Sequence, residues 1–323
     1  LTVGEPVKVI RQSAFQNCSG IKTVELPDTL QKIEFGVFIG CSKIEDITIP
    51  ESVKVFEGRI FLNCESLQSV TINAKIDNIP YGTFKDCKKL KEVTFKHPDE
   101  IKKINFESFR ATGLTEIEIP GNVVEIDESA FNLCRSLKRV KFPSKLKRIQ
   151  SKAFTQCHHL GDIELPDELV YIESRAFANC GDITSVSFGK NIRRIGCGAF
   201  TYTGIKELNL PDSLKFLEDH SFSNCIKLTR VRLPPSLSHI GFNSFGRCTK
   251  LSEVEFSEGN ITIGKYAFSR CYELRDPHFP SGLIRIGSGA FSDCYSIRVL
   301  RLPHGTKFIG YNAFRYNHNL YNI

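Results

Sequence analysis

Twelve cysteines and eight histidines are the residues of this chain best suited to bind a metal, attack a carbonyl or form disulfides. Their spacing argues against all three uses. The histidines, His97, His158, His159, His220, His239, His278, His304 and His318, are scattered, and the chain has no His-Glu-x-x-His, no Cys-x-x-Cys and no Gly-x-Ser-x-Gly. Cys157-His158-His159 comes nearest to a ligand set, but its Cys belongs to a repeated position and its two His to variable ones, so surface histidines are expected there. Gly196-Cys197-Gly198 and Gly287-Ser288-Gly289 recur at a turn rather than between a strand and a long helix, where phosphate is bound. The chain is therefore read as no enzyme, with no catalytic residue, no metal and no cofactor.

The cysteines have a different logic. Eleven of them lie three residues after a Phe: Cys18, Cys41, Cys64, Cys87, Cys134, Cys157, Cys180, Cys225, Cys248, Cys271 and Cys294. They come in runs of four, three and four, and a run of three cannot pair off. Stacked neighbours would hold their Cβ atoms parallel, which does not close to the ~3.8 Å that a disulfide prefers. Buried, reduced thiols are the expectation. At Thr112 and Thr203 a hydroxyl takes the same slot, each followed by Gly and a one-residue deletion, so the slot calls for a small side chain that hydrogen-bonds to a turn.

What positions those cysteines is a repeat. Phe15, Phe38, Phe61, Phe84, Phe109, Phe131, Phe154, Phe177, Phe200, Phe222, Phe245, Phe268, Phe291 and Phe314 recur at a mean spacing of 23, with one interval of 25 around His97-Pro98-Asp99 and two of 22. Such a period predicts a solenoid. In one copy Leu160, Ile163, Leu165, Pro166, Leu169, Ile172, Ala176, Phe177 and Cys180 fill the slots of the repeat in turn. Val140-Lys141-Phe142 and Val231-Arg232-Leu233 alternate with period two, as a short strand with one buried face does, and Pro then ends the strand. The Leu-x-x-Ile part predicts a second extended segment, and the Ala-Phe part a single helical turn that folds the ring into the core. Stacked coils would build a column of Phe flanked by Leu, Ile and Val.

The unit Leu-x-x-Ile-x-Leu-Pro-x-x-Leu-x-x-Ile-x-x-x-Ala-Phe-x-x-Cys-x-x-Leu resembles the BspA-type, or treponemal-class, leucine-rich repeat over essentially the whole chain. The shortened forms Ala111-Thr112-Gly113-Leu114 and Tyr202-Thr203-Gly204-Ile205 resemble a variant of that family, whereas Glu34, Asp127, Gln150 and Glu173 stand where it often has Gly. The resemblance implies a leucine-rich-repeat solenoid, mainly β with one short helical turn per repeat, about 14 repeats of 23 residues, and a parallel sheet on the concave face. It also implies a binding scaffold, of a kind common on bacterial surfaces, where some members act as adhesins. Residues 1–323 are read as one such domain, part of a longer array, because neither end carries a polar cap and Leu320-Tyr321-Asn322-Ile323 stops inside a strand.

Composition agrees with a folded, aqueous chain: 41% hydrophobic and 24% charged residues are incompatible with disorder, and no stretch approaches the ~20 apolar residues of a membrane span. With no Met at all, Leu1 is not a translation start, and the chain reads as a processed or excised segment. The net charge of +7 and the pairs Lys102-Lys103, Lys147-Arg148 and Arg193-Arg194 favour acidic partners, but without interleaved aromatic residues they fall short of a nucleic-acid footprint.

Recognition is expected on the outward positions of the first strand, where two charge sandwiches occur. Arg139 and Lys141 lie between Glu116/Glu118 and Asp162/Glu164, and Arg230 and Arg232 lie between Glu207 and Glu253/Glu255. They serve either as salt bridges between strands or as a mixed-charge patch that reads a partner. Pro277 and the long unit around His97 also break the repeat. The resulting expectation is a non-enzymatic recognition scaffold at a cell surface or secreted, acting in adhesion or host interaction. Its partner would be a protein, such as a host matrix or surface protein, or an acidic glycan, with no nucleic acid and no membrane insertion by this segment. The alternative is an intracellular scaffold along a filament or cytoskeletal assembly, cytoplasmic in location, which reduced thiols suit equally well.

Overall fold

A computed structural model describes residues 1–321, and Asn322 and Ile323, which the expected terminal strand includes, lie outside the described residues. The fourteen Phe positions make about thirteen turns of a parallel β-solenoid, in two compact units, Leu1–Leu160 and from Gly161 onward. From Asp46–Ile49 to Ile261–Ile263 the coils follow the two-strand pattern read from the sequence, whereas Thr2, Glu25, His278 and Arg301 contribute only isolated bridges on the first side. Alternation in Asp46–Ile49 buries Ile47 and Ile49 and exposes Asp46 and Thr48, and Ser69–Ile72 and Glu92–Phe95 pair beside it in parallel. Proline then starts a tight turn: Leu146 N–H donates to Pro143 O at 3.2 Å and Leu214 N–H to Pro211 O at 3.0 Å. The second segment forms two-residue strands, as in Lys103–Ile104 against Glu125–Ile126 in the first unit and Phe216–Leu217 against His239–Ile240 in the second.

The third side of the coil corrects the sequence expectation of a helical turn. The only helix among the described residues is the 3-10 turn Pro98–Glu100 in the long unit. Instead, residues two before and two after each Phe adopt the left-handed conformation, Arg59 (φ 55) and Asn63 (φ 61) around Phe61 and His220 (φ 58) and Asn224 (φ 60) around Phe222 among them. This alternation cannot propagate an α-helix, and it turns every second amide along the solenoid. Arg59, Phe61 and Asn63 donate to Tyr81 O, Thr83 O and Lys85 O in the next coil at 2.9, 2.9 and 3.0 Å, while Leu62 and Cys64 bond locally to Arg59 O and Phe61 O. The amides that a helix would bond to its own preceding turn thus form a third ladder between coils.

Inside lies the Phe column. Twelve of its rings, Phe38 through Phe291, are fully buried, and Phe15 and Phe314, in the first and last coils, are half-buried because each has a column ring on one side only. In the first unit successive rings stack at 5.0–5.9 Å and within 8°, except Phe84 and Phe109, which are tilted by 25°. In the second unit, from Phe177 to Phe314, stacking is 5.2–5.6 Å and within 11°.

Beside the rings run the thiols. The structure holds all twelve cysteines as thiols. Cys64 Sγ donates to Phe38 O at 3.2 Å, Cys87 to Phe61 O at 3.0 Å and Cys248 to Phe222 O at 3.2 Å, the carbonyl of the Phe one coil earlier in each case. Cys18 departs from the expected burial: it is exposed, since no earlier coil covers it. At the end of the column Asn317 Nδ2 takes the same role toward Phe291 O at 2.8 Å.

Both shortened coils interrupt the first ladder. At Gly113 a Cβ would stand 2.2 Å from Lys88 O, and at Gly204 2.3 Å from Gly181 O, so the deletion is absorbed by laying bare backbone on the preceding coil. Among the described residues Glu92–Phe95 does not pair with Glu116–Glu118, nor Val186–Ser187 with Glu207–Asn209. Pro277, which is buried, reduces its strand to the single bridges Glu255 to His278 and His278 to Arg301.

Candidate recognition surface

The outward residues of the first strands form rows because neighbouring coils are in register, Glu116 against Arg139 and Glu118 against Lys141 in the first unit. Lys141 Nζ meets Glu118 Oε1 at 2.6 Å, and Arg139 approaches Glu116 Oε2 at 3.8 Å, with all four side chains at least 69% exposed. Asp162 and Glu164 belong to the second unit. There one oxygen of Asp162 accepts the Thr184 amide, the Thr184 hydroxyl and the Ser185 amide at 2.8–2.9 Å, while Glu164 is exposed on the strand Ile163–Glu164. Partial burial opposes ionisation of Asp162, but the Ser185 and Thr184 amides outweigh it and hold the carboxyl below its ordinary value. Asp276 repeats the device with the Arg298 and Val299 amides at 2.7 and 2.9 Å. Asp162 is thus a structural cap as well as a surface charge.

Arg230 lies opposite both Glu207 and Glu253, yet its guanidinium turns to the later coil, reaching Glu253 at 3.4 Å and Glu255 at 3.3 Å. Arg232, in register with Glu255, bonds instead to Asp212 at 3.1 Å. Asp212 was not among the sequence candidates because it sits in the turn after the strand, where the repeat register places no cross-strand neighbour. Glu207 remains exposed on its strand.

The basic pairs of the second segment are partly neutralised. Lys103 bridges Glu125 and Asp127 at 3.0 and 3.1 Å, and Arg194 bridges Glu218 at 2.6 Å and Glu173 at 3.9 Å. Lys102, Lys147 and Arg193 remain exposed. Cys197, outside the thiol column, lines a groove of about 300 Å³ with Phe216, Asp219 and His239; burial and then the Asp219 and Glu218 carboxylates push its thiol pKa up, which disfavours a reactive thiolate. No group of three or more His, Cys, Asp or Glu is placed to hold a metal among the described residues.

Aromatic side chains, absent from the first-strand rows, are exposed elsewhere. Tyr272 and Tyr295 stack at 5.2 Å and 1°, Arg285 covers Phe308 at 4.2 Å, and Arg59 lies over the exposed Tyr81 and the half-buried Phe35. The signal for the tyrosine pair in the sequence is Tyr directly after Cys in consecutive coils, Cys271-Tyr272 and Cys294-Tyr295.

Comparison with known proteins agrees with this geometry. The family described as BspA type leucine rich repeat region matches residues 1–101, 94–204 and 193–321. A leucine-rich repeat protein from Bacteroides ovatus is 27% identical, with TM-score 0.71 over 97% of this chain and 81% of its own. A leucine rich cell surface protein from Faecalibacterium prausnitzii is 28% identical, with TM-score 0.50 over 78% of this chain and 77% of its own. The pneumococcal vaccine antigen PcpA shares the fold at 21% identity and TM-score 0.55, over 86% of this chain and 80% of its own. No curated protein matches the sequence. No helix among the described residues is long and apolar enough to cross a membrane. Repeat period, Phe and Cys columns and family match converge, and the chain belongs to the BspA-type leucine-rich-repeat family.

Proposed function

We propose that this protein is a non-enzymatic recognition scaffold, secreted or displayed at a cell surface, with residues 1–323 acting as one array that reads a protein or acidic-glycan partner. The observation that carries the reading is the division of labour in the coil. Phe, Cys and the inward strand residues are consumed by the core, whereas Arg139, Lys141, Glu116, Glu118, Glu164, Glu207, Arg230, Arg232, Glu253 and Glu255 stand in rows whose ion pairs are exposed enough to be exchanged for a partner's. The surface location is supported by the description of the Faecalibacterium relative as a cell surface protein. The free thiols are equally compatible with a second reading, an intracellular scaffold along a filament or cytoskeletal assembly.

The test is binding to an array of extracellular-matrix proteins and sulfated glycans, with Arg230→Glu/Arg232→Glu beside the wild type. The reversal is expected to weaken the captured ligand tenfold or more and reduce the salt dependence of binding, with the thermal midpoint unchanged. A change below about twofold would reduce these rows to a salt-bridge ladder. Labelling of intact cells with an impermeant amine reagent separates the compartments, since only a surface protein is modified.

A further inference from the structure

The long coil and the shortened coil that follows it open a slot in the first-strand face of the first unit. Along the second segment the coils stay joined, Asn78–Ile79 to Lys103–Ile104 and on to Glu125–Ile126. On the first-strand side Glu92–Phe95 pairs only backward with Ser69–Ile72, and Glu116–Glu118 only forward with Arg139–Lys141. The 25° tilt between Phe84 and Phe109, against 2° between Phe109 and Phe131, records the same wedge in the core. Val93 and Ile117 are only half-buried, although their counterparts Ile47, Val70 and Val140 are buried. Between the two strands lies a groove of about 590 Å³, in the size range of ligand sites.

Main-chain groups line this groove. Lys96 N–H donates to Ile72 O, so even-numbered residues of Glu92–Phe95 face the earlier coil and Val93 and Phe95 turn their N–H and C=O into the slot. On the other wall Ile119 N–H donates to Lys141 O, which leaves Glu116 and Glu118 facing the slot. The side chains at the rim are Lys91, Arg139 and Lys141 against Glu92, Glu116 and Glu118. That balance gives a polyanion no net attraction, whereas two unpaired strand edges offer hydrogen bonds to a backbone.

We propose that the slot between Glu92–Phe95 and Glu116–Glu118 receives an extended segment of a partner polypeptide, which adds a strand between the two coils. A segment of four residues, the length of Glu92–Phe95, spans about 13 Å. The proposal rests on the reading of the first-strand face as the recognition surface, but its test leaves Arg230 and Arg232 untouched, so the two fail separately.

The probe is a displayed library of random decapeptides selected on the full chain, with the best binder then synthesised. Peptide binding is expected to slow amide exchange of Val93, Phe95, Glu116 and Glu118 at least tenfold. Methylating alternate amides of the peptide should weaken it tenfold or more, which tests the strand directly without altering the protein. Replacing Ala111-Thr112-Gly113-Leu114 by a copy of Asp86-Cys87-Lys88-Lys89-Leu90, which restores the regular coil, should abolish binding. The proposal is overturned if no peptide is selected, if protection maps elsewhere, if methylation has no effect, or if a heparin oligosaccharide occupies the slot and displaces the peptide.

Discussion

A thiol three residues after eleven of the fourteen column Phe answers a local need: the carbonyl of the preceding coil's Phe is buried and requires a donor. Cys134 supplies it for Phe109 at 3.0 Å and Cys225 for Phe200 at 3.2 Å, while Thr112 and Thr203 stay in the chain of bonds through contacts of 3.2 Å to those same sulfurs. Burial pushes Cys41 up to about 11, and it does the same for Cys134 although Thr112 hydrogen bonds oppose it. Because these folded-state values lie above the ~8.5 of an unfolded thiol, their stabilising contribution is complete below pH ~8.5 and declines as pH rises toward 11. Denaturant titrations at pH 7 and pH 10 should therefore show lower stability at pH 10. Thiol counting under denaturing, non-reducing conditions should find close to twelve, and in the native protein Cys18 should react first. Truncating the fully buried ring in Phe154→Ala should cost about 3–5 kcal/mol in equilibrium unfolding, and a loss below 1 kcal/mol would contradict the column.

At the scale of the element, strands were legible and the turn was not. Alternation in Asp46–Ile49 or Arg230–Leu233 identifies a half-buried strand because side chains of a strand point alternately to two faces. The Ala-Phe stretch reads as helical because Ala is the strongest helix former and Phe does not oppose it. Its signal lay two residues after the Phe, where Asn17, Gly40, Asn63, Asp86, Asn179, Asn224 and Asp293 are residue types that tolerate the left-handed region. Leu133 holds the same conformation at φ 64 without that tolerance. Leu133→Asn is accordingly expected to stabilise the protein by about 1 kcal/mol in thermal or denaturant unfolding. The aspartates that cap the next coil have the opposite pH signature to the thiols. Amide bonds hold the Asp162 and Asp276 carboxyls low despite their burial, so their contribution is present above the ordinary value near 4 and is lost as pH falls below it. Asp276→Asn should flatten the acid limb of the stability curve below pH 4.

For the whole molecule, cohesion comes from columns that run through the coils of each unit, and surface charge contributes little. The ion pairs of the first-strand rows are 36–80% exposed, which limits each to about 0–1 kcal/mol. Raising NaCl from 50 to 500 mM should therefore shift the unfolding free energy by less than about 1 kcal/mol. The same change should weaken partner binding through those rows markedly, and a protein that lost stability and binding in parallel would assign them a structural role.

The sequence by itself determined the period, the two strands per coil and the identity of the buried columns. All three follow from one-dimensional rules: a repeat too small to bury its own apolar set must stack, and stacking aligns like residues such as Phe61 and Phe84. The tertiary structure alone decided which way a long charged side chain turns and where the ladder opens. Register gave Arg230 two equivalent neighbours, and only the packed coils directed it to Glu253 and Glu255 rather than Glu207. A deleted residue beside Thr112 announced an irregularity, but whether it would be absorbed by a tighter turn, a lost strand or a tilted ring depends on how rigid bodies of side chains fit, and the 25° between Phe84 and Phe109 is set by that fit.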